Sequence, residues 1–482
     1  PAERGVHEMT LTANFPVPDE AIHRDLVSIV GEGGVSARRL DRLAYARDLW
    51  PGSILWMRGG KVPYLPSFIV WPEETEAVSQ ILTYANAHHL PVVPFGAGSG
   101  VCGGTLPLHG GIILDLKRMN RIVAIDRNSM TVTAQCGIMG ECFEEDLNVA
   151  GFTLGHFPSS IYCSTLGGWL AARSAGQLST KYGKIEDMVI ALEAVLADGT
   201  VIETRKTPRS ATGPDWKHLL VGSEGTLGVI TTATMRLHPL PQARIFQAYR
   251  FPDVPTALEA IRATVQYGVL PAVVRLYDEV DTALTMTALG AEDLSGNLLI
   301  LVFEGGREIV ALEHELTARF CAERPCEDLG AGPARHWWEH RYDISYRQSE
   351  ILSNEGMVLD TIEVATVWSN LVNLYDTVRK ALSPIVTTLA HFSHIYPEGA
   401  SIYFSVIGHA EETTDEAYYR KIWETAMAAC LEAGGTISHH HGIGYSKAPW
   451  MAQEHGTLMG VYRRVKDALD PNGILNPGKM GL

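Results

Sequence analysis

The sequence predicts an α+β protein of two domains, and three observations lead to this fold class. The chain has 482 residues, of which 46% are hydrophobic, so it is too long for one core and has enough apolar material for two. Short β-rich runs alternate with turns over residues 91–137, between stretches of helical apolar spacing at 74–88 and 141–150. After about Pro241 the glycine content falls, and alternating strand and helix patterns predict a βαβ-type second domain.

Composition excludes several kinds of partner. The chain carries 39 basic and 55 acidic residues, a net charge of -16, which argues against nucleic acid or an anionic membrane as a partner. No run of 18 or more apolar residues is present, and residues 1–9 lack the order of a signal peptide. Seven cysteines without a CxxC pair are typical of reduced thiols. We therefore expect a cytoplasmic protein that binds no nucleic acid and has no transmembrane segment.

The most glycine-rich stretch, residues 94–104, directly follows an apolar run. Five of the nine residues from 96 to 104 are glycine. Glycine lets the backbone adopt a positive φ and lets its N–H groups approach a ligand with no Cβ in the way. This is the chemistry of a pyrophosphate cradle, and a plain turn between strands is the alternative. The residues predicted to line the cradle are Pro94, Gly96, Gly98, Ser99, Gly100 and Val101.

Two later segments and the C-terminal tail add to this pattern. Residues 164–172 lead from two glycines into a helix of small residues, and residues 222–230 carry three glycines between strand-like runs. Small residues permit close approach to a flat ring or to another helix. The predicted cofactor-binding residues in these segments are Ser164, Thr165, Gly167, Gly168, Glu224, Gly225, Gly228, Val229, Ile230 and, from the tail, Asn476.

In this order, the three segments and the tail resemble the vanillyl-alcohol-oxidase (PCMH-type) family of FAD-binding flavoenzymes over residues 67–480. The resemblance implies FAD as the cofactor, a PCMH-type FAD-binding domain, a second α+β cap domain for the substrate, and an enzyme acting on a small molecule. It places the FAD-binding domain at residues 1–240, the cap at 241–430, and a segment returning to the FAD domain at 431–482. We also expect a homodimer.

Within that family, residues 399–404 and 438–444 resemble the branch that contains alkylglycerone-phosphate synthase, with the D-lactate and glycolate dehydrogenases next. Histidine can move a substrate proton near neutral pH, tyrosine can orient an oxygen, and a guanidinium suits a carboxylate or a phosphate. The catalytic residues that the resemblance implies are His439, His440, His441, Tyr403 and Arg275.

One departure from the synthase branch concerns phosphate binding. Leu359 stands where that branch carries an arginine that is implied in binding the substrate's phosphate. An apolar side chain in place of a cation should lower the affinity for a dianion, unless Arg341 or Arg347 substitutes for it.

A second departure concerns metal binding, for which the hydroxy-acid dehydrogenases use a histidine-rich motif and a glutamate. Here residues 397–400 replace the core of that motif, and His440 stands in place of the glutamate. We therefore predict no metal, and His394, His440 and Glu398 are the alternative ligand set.

The flavin is predicted to be held without a covalent bond, because the first loop contains no histidine of the kind that carries the flavin in some relatives. Cys163 lies where doubly attached relatives carry a flavin-linked cysteine. A link at Cys163 is the alternative.

These features together predict an FAD-linked oxidase or dehydrogenase that oxidises a small hydroxy acid or related alcohol by hydride transfer to flavin N5. The electron acceptor is not identified. One alternative is a non-redox flavin transferase similar to alkylglycerone-phosphate synthase. The alternative of another class is a non-catalytic flavin-binding partner protein, although such a protein would not need the three histidines, Tyr403 or Arg275.

Overall fold

The computed structural model describes residues 17–290, 293, 295–411 and 414–482. The strands are β1 Val35–Ser36, β2 Phe68–Val70, β3 Val92–Phe95, β4 Ile112–Asp115, β5 Ile122–Asp126, β6 Thr131–Gln135, β7 Phe152–Thr153, β8 Val189–Val195, β9 Val201–Glu203, β10 Val229–Arg236, β11 His238–Pro239, β12 Ala243–Phe251, β13 Val273–Tyr277, β14 Asn297–Gly305, β15 Glu327–Gly330, β16 Met357–Val367, β17 Thr387–Ile395 and β18 Gly399–His409.

The α-helices are α1 Glu20–Val30, α2 Arg39–Ala44, α3 Pro51–Arg58, α4 Thr75–Ala87, α5 Gly140–Val149, α6 Leu166–Ala172, α7 Ser179–Tyr182, α8 Ile185–Met188, α9 Lys217–Leu220, α10 Val254–Gln266, α11 Glu279–Ala288, α12 Arg307–Ala322, α13 Gly332–His340, α14 Asp343–Leu352, α15 Trp368–Leu382, α16 Asp415–Glu432, α17 Met451–His455 and α18 Leu458–Leu469. Several begin at side chains that accept hydrogen bonds from the first turn, among them Asp19, Asp253 and Thr414.

Three larger sheets confirm the predicted α+β class. The first has the order β1-β2-β4-β3, with β4 parallel to both β2 and β3. The second is antiparallel, in the order β5-β6-β10-β8-β9. The third has seven strands, in the order β15-β12-β14-β13-β17-β18-β16. The domain boundaries at 240 and 430 stay predictions.

The seven-stranded sheet corrects the prediction of a simple βαβ second domain. Helix α10 does connect β12 to β13, and these two strands run in the same direction. However, β14 lies between them and pairs antiparallel with each. The unit is therefore a split βαβ. The alternation of strand and helix in the sequence could not predict this, because it does not specify which strand lies between β12 and β13.

Alternation along the strands gives the seven-stranded sheet an apolar face and a polar face. Ile362 of β16, Phe404 of β18 and Phe392 of β17 are fully buried in the main core, against α15 and α16. Their neighbours in sequence point to the opposite face, which carries Glu363 and Tyr403. Glu363 and Tyr403 therefore lie on one surface of the sheet, opposite the main core.

The C-terminal residues pack against the first sheet. Leu475 bridges to Val92 of β3, and the backbone N–H of Asn476 donates to the Val92 carbonyl. The side-chain amide of Asn476 donates to the carbonyls of Gly104 and Glu224, at 3.0 and 2.7 Å. Asn476 thus joins the tail to two of the glycine-bearing loops. Over the residues that are described, no helix has both the length and the apolar character needed to cross a membrane.

We predict that Asn476→Ala lowers the free energy of unfolding by about 1–3 kcal/mol, because two buried carbonyls lose their donor. A urea titration of the FAD-free protein measures the change. Asn472→Ala is the matched control, since Asn472 lies exposed in the same tail and should change stability by less than about 0.5 kcal/mol. Equal effects of the two substitutions would contradict the assigned role of Asn476.

Candidate active site

The loop after β3 presents consecutive backbone N–H groups that lack acceptors. Within the described part of the chain, no backbone or side-chain group accepts a hydrogen bond from the N–H groups of residues 98–101. These residues are half-buried or exposed, so a ligand can reach them. Gly98 has a φ of +68°, and a Cβ there would lie 2.7 Å from the Phe95 ring. A loop of unpaired N–H groups suits an anion, and the predicted pyrophosphate cradle therefore fits this backbone.

The three predicted loops contact one another directly. A Cβ on Gly96 would lie 2.3 Å from the Thr165 hydroxyl oxygen, so only glycine lets the first and second loops approach this closely. A Cβ on Gly225 would lie 2.8 Å from Pro94, which brings the third loop against the first. The loops thus form one continuous surface.

In the second loop, the side chains of Ser164 and Thr165 serve the loop itself. The Thr165 hydroxyl accepts from the Gly168 N–H and caps α6. The Ser164 hydroxyl donates to the Ser160 carbonyl at 2.8 Å and accepts from the Trp169 indole at 2.7 Å. The Ser164 hydroxyl has therefore used its one donor, whereas the Thr165 hydroxyl still has its O–H to donate.

Glu224 fastens the third loop to the histidine segment. Its carboxylate accepts from the N–H groups of Ile443 and Gly444, at 2.5 and 2.8 Å, and its backbone is left-handed with a φ of +48°. Burial raises the pKa of Glu224 to about 7, although the two N–H donors oppose the shift. Glu224 and Asn476 thus hold the loops in place, and their contacts with the cofactor stay predictions.

The other predicted cofactor-binding residues occupy positions that tolerate little change. A Cβ on Gly167 would lie 2.9 Å from the Cys136 carbonyl oxygen, and one on Gly228 would lie 3.2 Å from the Val195 carbonyl oxygen. Val229 and Ile230 are buried at the start of β10. Their roles stay predictions, as does the alternative link at Cys163, which lies half-buried in the turn Ile161–Cys163.

A row of side chains crosses the polar face of the seven-stranded sheet. Tyr403 of β18 pairs in register with Glu363 of β16 on one side and with His391 of β17 on the other. His391 in turn pairs with Tyr277 of β13. The rings of His391 and Tyr403 stack with their centroids 4.7 Å apart. Register therefore brings together residues from four strands that are remote in sequence.

Arg275 lies on the same face, two residues before Tyr277. Its Nη2 is 3.3 Å from Nδ1 of His391, and its guanidinium lies over the rings of Tyr277 and Trp337. Its Nε is buried and has no hydrogen-bond partner among the described residues. The structure therefore places the predicted Arg275 against His391, whose ring stacks on the predicted Tyr403.

The histidine triplet is held by Glu363. One carboxylate oxygen, Oε1, accepts from the Ser438 hydroxyl at 2.7 Å and from the backbone N–H groups of His440 and His441 at 3.3 and 2.9 Å. The other oxygen, Oε2, lies 2.7 Å from Nζ of Lys447 and 3.4 Å from Nδ1 of His441. Burial alone would raise the pKa of Glu363, but Lys447 and His441 outweigh it and hold this pKa well below the usual value.

The triplet completes a cluster of rings around Tyr403. The centroid of Tyr403 lies 5.5 Å from that of His441 and 6.0 Å from that of His440. The structure thus brings together all five residues predicted to be catalytic. Loss of hydration lowers the pKa of four cluster histidines well below the usual value and favours their neutral form at pH 7; they are the buried His391 and the half-buried His394, His439 and His440. Burial also raises the pKa of Tyr403 to about 12.

A β-bulge directs His394 into the same cluster. The register of β17 shifts at this point, and His394 has a left-handed backbone with a φ of +52°. Its Nδ1 lies 2.6 Å from the Ser179 hydroxyl. Bulges commonly re-aim a side chain next to a functional site.

Three ring nitrogens, from His394, His439 and His440, lie within 4.8 Å of one another and could together hold a metal ion. A contact of 3.0 Å between Nδ1 of His439 and Nδ1 of His440 accounts for part of this closeness as a hydrogen bond. Glu398, the third member of the alternative ligand set, lies exposed between β17 and β18 and is not part of this group. The absence of a metal stays a prediction.

Sequence reasoning missed three residues of this site, namely Glu363, Lys447 and His391. Glu363 and Lys447 are completely buried; Glu363 lies in the largely apolar strand β16, whereas Lys447 directly follows the polar, glycine-bearing residues 438–446. For Glu363 the available signal was a carboxylate inside an apolar run of residues, because burial of one charge requires an opposite charge or several hydrogen bonds; Lys447 carries no such signal.

An apolar residue, Leu359, occupies the position at which the synthase branch carries an arginine. Leu359 is half-buried on β16, on the same face as Glu363 and four residues before it. Arg341, one of the two suggested substitutes, stacks on Trp338 with its guanidinium carbon 3.9 Å from the ring centroid. The side chain of Arg347 lies outside the described residues. Substitution by either arginine stays a prediction.

We predict that Gly98→Ala raises the dissociation constant for FAD by about tenfold or more, because a Cβ strains the left-handed backbone and displaces the N–H row. Titration of the FAD-free protein with FAD, followed by flavin fluorescence, measures the constant. Gly473→Ala is the matched control, since Gly473 has a φ of +64° but open space around its Cβ position. An unchanged constant in Gly98→Ala would contradict a role of this loop in binding FAD.

Comparison with known proteins agrees with this geometry. Residues 66–205 match the family described as "FAD binding domain", and residues 240–480 match "FAD linked oxidases, C-terminal domain". Alkyldihydroxyacetonephosphate synthase of Dictyostelium discoideum is 32% identical over 500 residues, covering 97% of this chain and 79% of that protein. The uncharacterized FAD-linked oxidoreductase YgcU of Escherichia coli K12 is 33% identical over 432 residues, covering 86% and 88%. Glycolate oxidase subunit GlcD of Bacillus subtilis is 28% identical over 472 residues, covering 95% and 96%.

Solved structures show the same two-domain fold. A structure of alkyldihydroxyacetonephosphate synthase matches with a TM-score of 0.82 and 28% identity, covering 97% of this chain and 86% of that one. A 4-ethylphenol oxidase of Gulosibacter chungangensis matches in fold with a TM-score of 0.77 and 19% identity, covering 96% and 98%. The chain therefore belongs to the FAD-linked oxidases of the vanillyl-alcohol-oxidase (PCMH) type and is an FAD-dependent enzyme.

Proposed function

We propose that the enzyme oxidises a small hydroxy acid or a related alcohol to the corresponding carbonyl compound. The observation that carries this proposal is the pairing of His441 with Glu363 at 3.4 Å, directly beside Tyr403 and on the sheet face that carries Arg275. A histidine whose Nδ1 faces a carboxylate keeps that nitrogen protonated and leaves Nε2 as a proton acceptor. This is the arrangement that a hydroxyl group needs to lose its proton.

The proposed oxidation removes one proton and one hydride from the substrate, and each has an acceptor. His441 accepts the hydroxyl proton at Nε2, and the hydrogen on the carbinol carbon leaves with its electron pair, so that a C=O bond forms. When bound, FAD supplies the two-electron acceptor for that hydrogen. Tyr403 remains protonated at neutral pH because of its raised pKa, and it donates to the reacting oxygen.

The charges around the cluster favour a substrate with one carboxylate. Among the described residues Arg275 forms no ion pair within 4 Å, although the carboxylate of Asp281 lies 3.6 Å from the neighbouring His391. Lys447 is paired with Glu363, and Lys184 with Glu186 and the His439 carbonyl. The neutral histidines add no positive charge. A planar guanidinium suits a carboxylate, and the apolar Leu359 supplies no second cation for a dianionic phosphate.

A non-redox flavin transferase is the second candidate. It is favoured by the 32% identity to alkyldihydroxyacetonephosphate synthase over 97% of this chain and by the three adjacent histidines next to Tyr403. That reaction requires an acyl substrate that bears a phosphate. At the position where the synthase branch carries an arginine for this phosphate, this chain has the uncharged Leu359.

We predict that a short hydroxy acid reduces the bound flavin in the absence of oxygen, seen as loss of the oxidised-flavin absorbance. Glycolate, D-lactate and simple alcohols form the test panel, and photoreduction of the same sample is the control for a reducible flavin. If no compound bleaches the flavin and acyl-dihydroxyacetone phosphate is consumed, the transferase is correct. If neither reaction occurs, the non-catalytic alternative replaces both.

We predict that Arg275→Met raises KM for hydroxy acids by about 10- to 100-fold, because a charge-assisted hydrogen bond to the carboxylate is lost. The matching alcohol without a carboxylate should show less than about threefold change. Arg250→Met is the control, since Arg250 lies on β12 of the same sheet and pairs with Glu327. Equal losses for acid and alcohol would contradict carboxylate binding by Arg275.

A further inference from the structure

We propose that Glu363 and Lys447 form a positioning pair that selects the tautomer of His441 with a bare Nε2 nitrogen. This inference rests on the proposed function, in which His441 accepts the substrate proton. Neither residue belongs to the set that the sequence predicted to be catalytic. Both act through His441, and neither is assigned a contact with the substrate.

The two oxygens of Glu363 have separate tasks. Oε1 accepts from the Ser438 hydroxyl and from the backbone N–H groups of His440 and His441, which fixes the path of the chain. Oε2 faces the His441 ring and Lys447. One carboxylate therefore sets both the position of the His441 backbone and the direction of its ring.

Lys447 fixes the second oxygen of Glu363. Its Nζ lies 2.7 Å from Oε2, and the exposed fraction of both side chains is 0%. The backbone N–H of Lys447 donates to the Ile443 carbonyl, so that the lysine belongs to the same turn as the histidines. Without a second donor, Oε2 could rotate away from the ring.

Stability alone does not account for this pair. A completely buried ion pair seldom stabilises a fold more than apolar side chains of similar volume would. The pair lies where β16 meets the histidine segment, and its hydrogen bonds go to that segment. The geometry of the Glu363–Lys447 pair is explained by its hydrogen bonds to the histidine segment, which fix the position of His441.

The tautomer follows from the donors and acceptors. A carboxylate oxygen can only accept, so the 3.4 Å approach of Oε2 to Nδ1 favours the neutral His441 tautomer with its proton on Nδ1 and a bare Nε2. In Glu363→Gln the amide oxygen can still accept the backbone N–H groups, and the amide nitrogen in place of Oε2 offers its hydrogens to Nδ1 of His441. Nδ1 then becomes the acceptor, and the ring proton moves to Nε2. Nε2 can then no longer accept the proton of the substrate hydroxyl. The amide nitrogen also meets the donor Nζ of Lys447, so Glu363→Gln combined with Lys447→Met is the variant without this conflict.

The experiment compares four forms of the FAD-loaded enzyme: wild type, Glu363→Gln, His441→Asn and the double variant. Histidine labelled with 15N reports which ring nitrogen carries a proton, and the signal missing in His441→Asn identifies residue 441. We expect Nδ1–H in the wild type and Nε2–H in Glu363→Gln. We also expect kcat for the hydroxy acid to fall by about 100-fold or more in Glu363→Gln, with no further loss when the variant is combined with His441→Asn.

Glu304→Gln is the matched control. Glu304 is also buried, lies on β14 of the same sheet, and pairs with Arg244 and the Tyr182 hydroxyl. It should leave the His441 tautomer and kcat unchanged. If Glu363→Gln does not fold, Glu363→Gln combined with Lys447→Met removes both charges at once and tests the same tautomer.

An unchanged His441 tautomer in the folded Glu363 variants would overturn the proposal, and so would independent losses of kcat in the double variant. If the wild type already carries its proton on Nε2, the proposal is also wrong. Failure of the proposed function is separate: no hydroxy acid then reduces the wild-type flavin, while the NMR result still decides whether Glu363 sets the tautomer.

Discussion

The buried carboxylate of Glu363 is the interaction on which the site depends. It is the point where the seven-stranded sheet and the histidine segment are joined by charge and by hydrogen bonds at once. Because the group is fully buried, each oxygen must be satisfied by protein donors, and the donors that satisfy it are those of the histidine turn. The hydrogen bonds that satisfy this buried charge are thus the same ones that hold the backbone of the histidine turn.

A second carboxylate ties the cofactor loops to the same turn. Glu224 accepts from the backbone at Ile443 and Gly444, while Asn476 holds the carbonyl of Glu224 from the other side. The histidine turn is therefore held from two directions, by Glu363 in the sheet and by Glu224 in the third glycine loop. A flavin on these loops and a substrate on the sheet face would meet where the two attachments converge.

The chain is similar both to alkyldihydroxyacetonephosphate synthase and to a glycolate oxidase subunit, so similarity alone does not select one reaction. Both kinds of relative match this chain over most of its length, at 32% and 28% identity. The two candidate reactions, oxidation of a hydroxy acid and non-redox transfer, differ in the anionic group of the substrate that the protein must bind: one carboxylate or a dianionic phosphate. In the proposed function the charge that binds the carboxylate is supplied by the guanidinium of Arg275, while the side chain at Leu359 is apolar and the pKa values of His391 and His440 are lowered by burial.

The sequence by itself determined the α+β class, the glycine loops, the cofactor family and the five residues expected to be catalytic. These follow from local composition and from short motifs, which are visible without knowledge of distant contacts. It did not determine that β14 separates β12 from β13, that a bulge turns His394 inward, or that Glu363, Lys447 and His391 belong to the site. Those features depend on strand register and on burial. Only the tertiary structure decides which residues share one face and which buried charge meets which donor.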